Sequence, residues 1–229
     1  MKNFVITLDG PAASGKGTLA KKIAQHYSMA YLDTGLTYRF VAFLLLQQKP
    51  DLQENILVEK EILPLICQLA NESDFSTMNA EILANHLIGN LASKLAVFKE
   101  LRHILVKKQQ QFIKKNPYCV LDGRDAGTVI YPQAMIKFFI EADVAIRAQR
   151  RYDQEKEKNS SLSYEEILED LKSRDKRDKE RIESPLKPAE DAHLLNTSQM
   201  SIIEAFDYIK NIIDPIWDKQ KKELSSFEK

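Results

Sequence analysis

The segment Gly10-Pro-Ala-Ala-Ser-Gly-Lys-Gly-Thr18 decides the fold of this chain. Its glycines let successive backbone N–H groups converge on anionic oxygens without interference from Cβ atoms. Lys16 stands at the spacing from which a lysine reaches the outer phosphates of a nucleotide. The apolar run Phe4–Leu8 before it predicts a buried strand, and a helical pattern begins at Thr18. A strand, a glycine-containing loop and a helix together predict a phosphate-binding loop.

The rest of the chain alternates between short apolar runs and helical patterns. Apolar runs at Ala30–Leu32, Tyr118–Leu121, Ile136–Ile140 and His193–Leu195 predict four more strands. Strands that alternate with helices are typical of an α/β fold, so we predict a doubly wound parallel sheet.

Four further segments predict the main helices after the first. A helix is expected over Tyr38–Gln48, and one long helix over Ser93–Lys115 with Ser93 as its N-cap. Two capping-box signatures, Ser163-Tyr-Glu-Glu166 and Ser201-Ile-Ile-Glu204, begin two later helices. The first of these is expected to continue through Lys172–Glu183. The second has the predicted apolar face Ile202, Phe206, Ile209 and Ile213, with Trp217 as a packing residue in the tail after Pro215.

Composition limits the classes of partner. The 229 residues carry a formal net charge of zero, which argues against a general electrostatic grip on nucleic acid or an anionic membrane. The cysteines, Cys67 and Cys119, lack metal-ligand spacing, and Cys119 is expected to be a small buried residue. The longest apolar run, Phe40–Leu46, is too short to span a bilayer, and the first residues show no targeting signal. We therefore expect a cytoplasmic protein.

Three charged clusters narrow the choice of reaction. They are Leu32-Asp-Thr-Gly-Leu-Thr-Tyr-Arg39, Leu121-Asp-Gly-Arg-Asp-Ala-Gly-Thr128 and Arg174-Asp-Lys-Arg-Asp-Lys-Glu-Arg181, the last followed by Pro185-Leu-Lys-Pro188. Arginine pairs with phosphate oxygens through two parallel N–H groups, and helical spacing places Arg174, Asp178 and Arg181 on one face. Two phosphate groups repel each other, so a kinase needs cations between donor and acceptor rather than a strong base.

Together with the phosphate-binding loop, these clusters resemble the cytidylate kinase family over Phe4 to about Leu195. The resemblance implies a nucleoside monophosphate kinase that moves the γ-phosphoryl group of ATP to CMP or dCMP, giving ADP and CDP or dCDP. It implies Mg²⁺ held by ATP phosphates and water without a direct protein ligand. This matches Gly17, which stands where a common phosphate-binding loop has Ser or Thr. It also implies a monomer without a nucleic-acid or membrane partner.

The resemblance assigns three sets of site residues. The ATP-binding set is Gly10, Pro11, Ala12, Ala13, Ser14, Gly15, Lys16, Gly17 and Thr18. The catalytic set is Lys16, Arg124, Arg174 and Arg181. The CMP-binding set is Thr34, Tyr38, Arg39, Ser93, Arg102, Gly123, Arg124, Asp125, Arg174, Asp178 and Arg181. Within the last set, Arg39, Arg124 and Arg181 match positions that contact the acceptor phosphate, Arg174 and Asp178 the ribose, and Ser93, Arg102 and Asp125 the base.

The same resemblance divides the single kinase domain, residues 1–229, into three parts. The core comprises 1–38, 117–150 and 186–229; a monophosphate-binding insert covers 39–116 and a short helical lid 151–185. Asn71–Gly89 lacks the "G.DV…IR" segment usual in bacterial members, so we expect this part of the insert to be shortened and helical.

Two alternatives use the same residues. A kinase of this fold could take another acceptor, such as shikimate, dephospho-CoA or a different nucleoside monophosphate, and acceptor turnover separates these cases. A protein that binds nucleotide as a regulatory module without transfer is a different class. The arginine-rich third cluster argues against it, because a pure binder needs no cations aimed between two ligands.

Overall fold

Five parallel strands form the centre of the computed structural model, which describes residues 3–50, 60–157 and 162–227. The strands lie in the order β2-β3-β1-β4-β5. This order confirms the predicted doubly wound parallel sheet, with the strand before the phosphate-binding loop at its centre. Their bounds are β1 Phe4–Asp9, β2 Ala30–Asp33, β3 Tyr118–Gly123, β4 Ile136–Glu141 and β5 His193–Asn196.

The described residues form nine α-helices. One hydrophobic cluster lies between the sheet and helices α1 and α9, and it contains Phe4, Leu19, Ile23 and Ile209. The bounds are α1 Lys16–His26, α2 Thr34–Gln48, α3 Leu63–Glu72, α4 Ala80–Leu83, α5 His86–Leu95, α6 Lys99–Lys115, α7 Val144–Glu157, α8 Tyr164–Glu180 and α9 Ile202–Phe227.

The prediction of one long helix over Ser93–Lys115 is wrong. Helix α5 ends at Leu95, and α6 begins at Lys99 after the extended residue Phe98. The break is stabilised by a local hydrogen bond, in which the guanidinium of Arg102 donates to the carbonyl of Ala96 at 3.1 Å. Ser93 therefore lies in the last turn of α5 and is not an N-cap.

Other helix ends also differ from the prediction. Helix α2 begins at Thr34 rather than Tyr38, because the Asp33 carboxylate accepts from the N–H groups of Gly35 and Leu36. Helix α8 ends at Glu180 rather than Glu183, because Arg181 has an extended backbone. Both capping boxes are confirmed: Ser163 pairs with Glu166, and Ser201 pairs with Glu204.

The C-terminal helix continues through Pro215, which was predicted to precede a tail. Ile209 and Ile213 are fully buried, and Trp217 packs edge to face against Phe4 with ring centroids 4.9 Å apart, which confirms its packing role. The prediction for Ile202 is wrong because the buried stripe begins one turn later, at Ala205.

Residues 60–116 pack around a second hydrophobic cluster shared with α2. It includes Val41, Leu45, Ile66, Leu91 and Leu101. The expected helical character of residues 71–89 is confirmed by a 3₁₀ turn over Phe75–Thr77, by α4 and by the start of α5. Cys119 is buried in β3, as predicted. None of the helices in the described ranges has the length and apolar character that a bilayer span requires.

Candidate active site

One cavity of about 230 Å³ lies at the carboxyl ends of the strands and is lined by the whole predicted acceptor set and by part of the phosphate-binding loop. One wall is formed by Ala12, Ala13 and Lys16 of the phosphate-binding loop. The other walls come from α2, α5, α6, the end of β3 with the segment after it, and α8 with the residue that follows it. They contain all eleven residues of the predicted acceptor set: Thr34, Tyr38, Arg39, Ser93, Arg102, Gly123, Arg124, Asp125, Arg174, Asp178 and Arg181.

The phosphate-binding loop has the backbone that its glycines predict. Gly10 has a φ of 150°, and a Cβ there would lie 2.1 Å from the carbonyl oxygen of Ile140. Gly15 has a φ of 88° and directly precedes α1. Ala13 adopts a φ of 60°, which is uncommon for a residue with a side chain. The buried Ser14 hydroxyl has no hydrogen-bond partner in the described residues, whereas Thr18 is exposed on the first turn of α1.

Lys16 faces a buried carboxylate across the floor of the cavity. Its Nζ donates to the carbonyl of Pro11 at 3.2 Å and lies 3.8 Å from Oδ1 of Asp122. Burial, and then the neighbouring Arg124, lower the pKa of Lys16 to about 8, while burial raises the pKa of Asp122 to about 6. The position after the lysine has little room for a side chain, because a Cβ on Gly17 would lie 2.8 Å from Oδ2 of Asp122.

Asp178 joins three arginines on the opposite wall. Its carboxylate lies 3.0 Å from Nε of Arg124, 3.9 Å from Nε of Arg174 and 3.8 Å from Nη1 of Arg181. Burial acts to raise the pKa of Asp178, but these three cations hold it below its ordinary value. Burial and the nearby Arg124 lower the pKa of Arg174 to about 9. Three cations against one carboxylate leave a surplus of positive charge that suits an anionic ligand.

Arg39 reaches the cavity from α2. Its Nη1 donates to the carbonyls of Leu83 and Asn85 at 2.7 and 3.3 Å. The guanidinium lies against Gly89 of α5, where a Cβ would come within 2.7 Å of Nη2. Burial, and then the nearby Arg151, lower the pKa of Arg39 to about 10.

The far end of the cavity carries a buried ion pair and several hydrogen-bonding side chains. Arg102 and Asp125 form a buried ion pair, and the Arg102 guanidinium lies 5.5 Å from the centre of the Tyr38 ring. The Oγ of Ser93 accepts from Nε of Arg177 at 3.4 Å. Nη2 of the same arginine donates to Oδ1 of Asn90 at 3.1 Å.

Asp9 connects the two loops that form the site. It is the last residue of β1, and its two carboxylate oxygens accept from the backbone N–H groups of Ala126 and Gly127 at 2.8 and 2.7 Å. It thereby joins the start of the phosphate-binding loop to the segment that carries Arg124 and Asp125. Burial raises the pKa of Asp9 to about 7.

We expect Asp9→Asn to flatten the dependence of stability on pH between about 4 and 7. The folded protein holds a proton on Asp9 up to a pKa of about 7, whereas the unfolded chain releases it near 3.8. The stabilisation from this proton, on the order of a few kcal/mol, is complete below the unfolded pKa and is lost as pH rises through the folded pKa. Urea unfolding of both proteins at about pH 5 and about pH 8 measures the difference. If the free energy of unfolding fell by the same amount from about pH 5 to about pH 8 in both proteins, this prediction for Asp9 would be wrong.

Several residues of the site carried no role in the sequence interpretation. Arg147 of α7 is buried and donates to the carbonyl of Ala12 and to the carboxylate of Asp175, so it connects the phosphate-binding loop to α8. Arg177 lies within the third charged cluster, so its pattern was visible although its contacts were not. Asn90 and Arg147 belong to none of the motifs. Their partners are far away in sequence, so no local pattern indicated their contacts.

Comparisons with known proteins point to one family. A family model described as cytidylate kinase matches residues 6–215. The chain is 53% identical over 216 residues to a cytidylate kinase of Bartonella tribocorum, with 94% of this chain and 97% of that protein covered. It is 49% identical over 211 residues to a cytidylate kinase of Brucella suis biovar 1, with coverages of 92% and 93%. Among solved structures, an uncharacterized protein from Eubacterium ventriosum matches with a TM-score of 0.51 and 15% identity, covering 93% of this chain and 99% of that chain. At that identity the likeness concerns the fold alone.

Proposed function

The chain belongs to the cytidylate kinase family, and from this premise we propose how its residues divide the work of the reaction. The protein transfers a phosphoryl group from ATP to CMP or dCMP. One observation carries our assignment of residues. The cavity between Lys16 and the arginines contains polar atoms without a hydrogen-bond partner in the described residues: Tyr38 Oη, Asp122 Oδ1, Arg174 Nε and Arg181 Nη2. Buried polar atoms without partners indicate a place for a ligand.

The phosphate-binding loop, residues 10–18, holds the phosphates of ATP in our proposal. Its backbone N–H groups and the N-terminus of α1 favour anionic oxygens. Lys16 is directed at the phosphoryl group in transfer. An anionic ligand beside its Nζ favours the charged form and so opposes the lowering of its pKa by burial.

The arginines hold the acceptor and stabilise the group in transfer. We assign the acceptor phosphate to Arg39, Arg124 and Arg181, and the ribose to Arg174 and Asp178. The acceptor phosphate is largely dianionic near neutral pH, so the residues position it and offset charge rather than remove a proton. Lys16, Arg124, Arg174 and Arg181 supply this charge. Asp178 also fixes the positions of three of these side chains through its ion pairs with Arg124, Arg174 and Arg181.

The residues present fit a magnesium ion that is held mainly by nucleotide phosphates and water. No cluster of three or more metal-binding side chains occurs within residues 3–50, 60–157 and 162–227. The Oδ1 of Asp122 has no hydrogen-bond partner in the described residues and would accept from a metal-bound water. A bound Mg²⁺ would neutralise part of the charge of the nucleotide phosphates, and Asp122 would hold it through its water shell.

Further parts of the proposal concern the whole chain. Segment 39–116 binds the monophosphate, segment 151–185 is a lid that closes over both substrates, and the remaining segments form the core. We propose a cytoplasmic monomer without a nucleic-acid or membrane partner, as the resemblance implies.

Base choice rests on Asp125 in this proposal, since a carboxylate accepts from the cytosine amino group and repels the O4 carbonyl of uracil. We expect Asp125→Asn to lower the ratio of kcat/KM for CMP over UMP by about tenfold, because an asparagine amide can turn to donate to O4. The exposed Asp153 gives a matched control, Asp153→Asn. An unchanged ratio in the Asp125 variant would remove this residue from base recognition.

The experiment that tests the function is ADP release from ATP and Mg²⁺, with CMP, dCMP, UMP, AMP and GMP offered separately. We expect fast turnover to be confined to CMP and dCMP. Turnover with none of the five, or an equal rate with UMP or AMP, would contradict the proposed function.

A further inference from the structure

Arg177 of α8 bridges two residues of α5 that are one helical turn apart. Its Nη2 donates to Oδ1 of Asn90 at 3.1 Å, and its Nε donates to Oγ of Ser93 at 3.4 Å. All three residues line the cavity. The neighbouring lysines of the same helix, Lys176 and Lys179, are exposed. Arg177 is thus directed into the site rather than to solvent.

The contact with Arg177 decides what the Ser93 hydroxyl can do. Ser93 is 5% exposed, and its oxygen already accepts from Nε of Arg177. A hydroxyl carries a single proton, which must point away from an N–H group that donates to the same oxygen. Within the described part of the chain, no hydrogen bond runs from this hydroxyl to an acceptor. The proton of Ser93 therefore remains available to an acceptor atom of a ligand in the cavity.

The two pyrimidines differ at the atom that such a donor would meet. Cytosine has an acceptor at ring N3 and a donor amino group at C4, whereas uracil has a donor N3–H and an acceptor O4. A donor beside an acceptor therefore matches the cytosine edge and opposes the uracil edge. Asp125 can be the acceptor of this pair, since it shares the base end of the cavity.

We propose that Arg177 is a positioning residue for base specificity: by donating to Ser93 it fixes that hydroxyl as a donor, which suits N3 of cytosine and opposes N3–H of uracil. This inference rests on the proposed function, in which Ser93 contacts the base. Arg177 acts through Ser93, and Asn90 holds the guanidinium in place. Without Arg177 the hydroxyl rotates, accepts from N3–H of uracil, and ceases to discriminate.

The test is a double-mutant cycle on the ratio of kcat/KM for CMP over UMP. Arg177→Ala is expected to lower this ratio by about tenfold, which corresponds to one mismatched hydrogen bond. In a Ser93→Ala background the same change is expected to alter the ratio by less than about twofold, because the hydroxyl through which Arg177 acts is absent. Arg177→Lys keeps a charged donor and is expected to retain most of the ratio. Lys179→Ala removes an exposed cation from the same helix and serves as the matched control.

A general effect on folding or charge would give a different pattern. Such an effect would lower kcat/KM for both nucleotides equally, so thermal unfolding and the KM for ATP are measured on every variant. The ratio of dissociation constants for CMP and UMP gives the same information if a variant turns over too slowly. An unchanged ratio in Arg177→Ala, or an equal fall in the Ser93→Ala background, overturns the inference while the proposed function stands. A wild-type protein that does not prefer CMP to UMP overturns both.

Discussion

Replacement of Lys16 by alanine is expected to lower kcat by about 10²- to 10³-fold, the effect typical of removing one fixed charge that stabilises a transition state. The Nζ of Lys16 lies in the cavity between the phosphate-binding loop and the arginine wall, 3.8 Å from Asp122. In the transition state, negative charge is spread over the equatorial oxygens of the phosphoryl group, which lies between two anionic partners. A buried cation at this place therefore contributes more than it would in water. Steady-state ADP release with saturating ATP and CMP measures the loss.

Two controls separate this effect from damage to the fold. Lys22 lies on the exposed face of the same helix, so Lys22→Ala should turn over at the wild-type rate. Removal of Lys16 also leaves Asp122 buried without its nearest cation, so urea unfolding is measured on each variant. A Lys16→Ala protein that is folded and retains kcat within about threefold of wild type would refute the assignment of this lysine.

Gly10→Ala is expected to reduce stability by about 3 kcal/mol or more and to raise the KM for ATP sharply. The new Cβ would lie 2.1 Å from the carbonyl oxygen of Ile140 in β4, so the start of the loop has to move away from the sheet. A φ of 150° is also poorly accessible to alanine. Urea unfolding measures the stability, and initial rates across a range of ATP concentrations measure the KM.

Ala13→Gly is the matched opposite change in the same loop. Ala13 holds a φ of 60°, so glycine removes strain of about 1 kcal/mol, and the greater freedom of glycine in the unfolded chain offsets a similar amount. We expect stability within about 1 kcal/mol of wild type and near-normal activity. If both substitutions had equal effects, loop composition rather than the contact of Gly10 with Ile140 would be responsible.

Most of the residues that line the cavity could be found from the sequence because their motifs are local. Asp33 and Gly123 each end a strand, and in a parallel sheet the carboxyl ends of strands meet at one edge. Helical spacing placed Arg174 and Asp178 on one face of α8, and Arg181, the first residue after the helix, also lies beside Asp178.

The failures lie where distant residues determine the local conformation. The break between α5 and α6 has no Pro or Gly to mark it. Arg102 donates to the nearby carbonyl of Ala96, but Arg102 is itself held by its ion pair with Asp125 in the segment after β3. The prediction of a tail after Pro215 is also wrong. Helix α9 continues past Pro215, and Trp217 in this part of the helix packs against Phe4 of the sheet.

The sequence by itself determined the parallel sheet, the phosphate-binding loop and most of the charged residues around the cavity, since these follow from hydrophobic period and from motifs at strand ends. Only the tertiary structure decided which partners those charged side chains contact. Asp178 pairs with three arginines, Asp9 joins two loops across 117 residues of sequence, and Arg177 reaches Ser93 across 84. The reason is physical: a hydrogen bond depends on position within a few tenths of an ångström, and that position is set by the packing of helices that no local pattern describes.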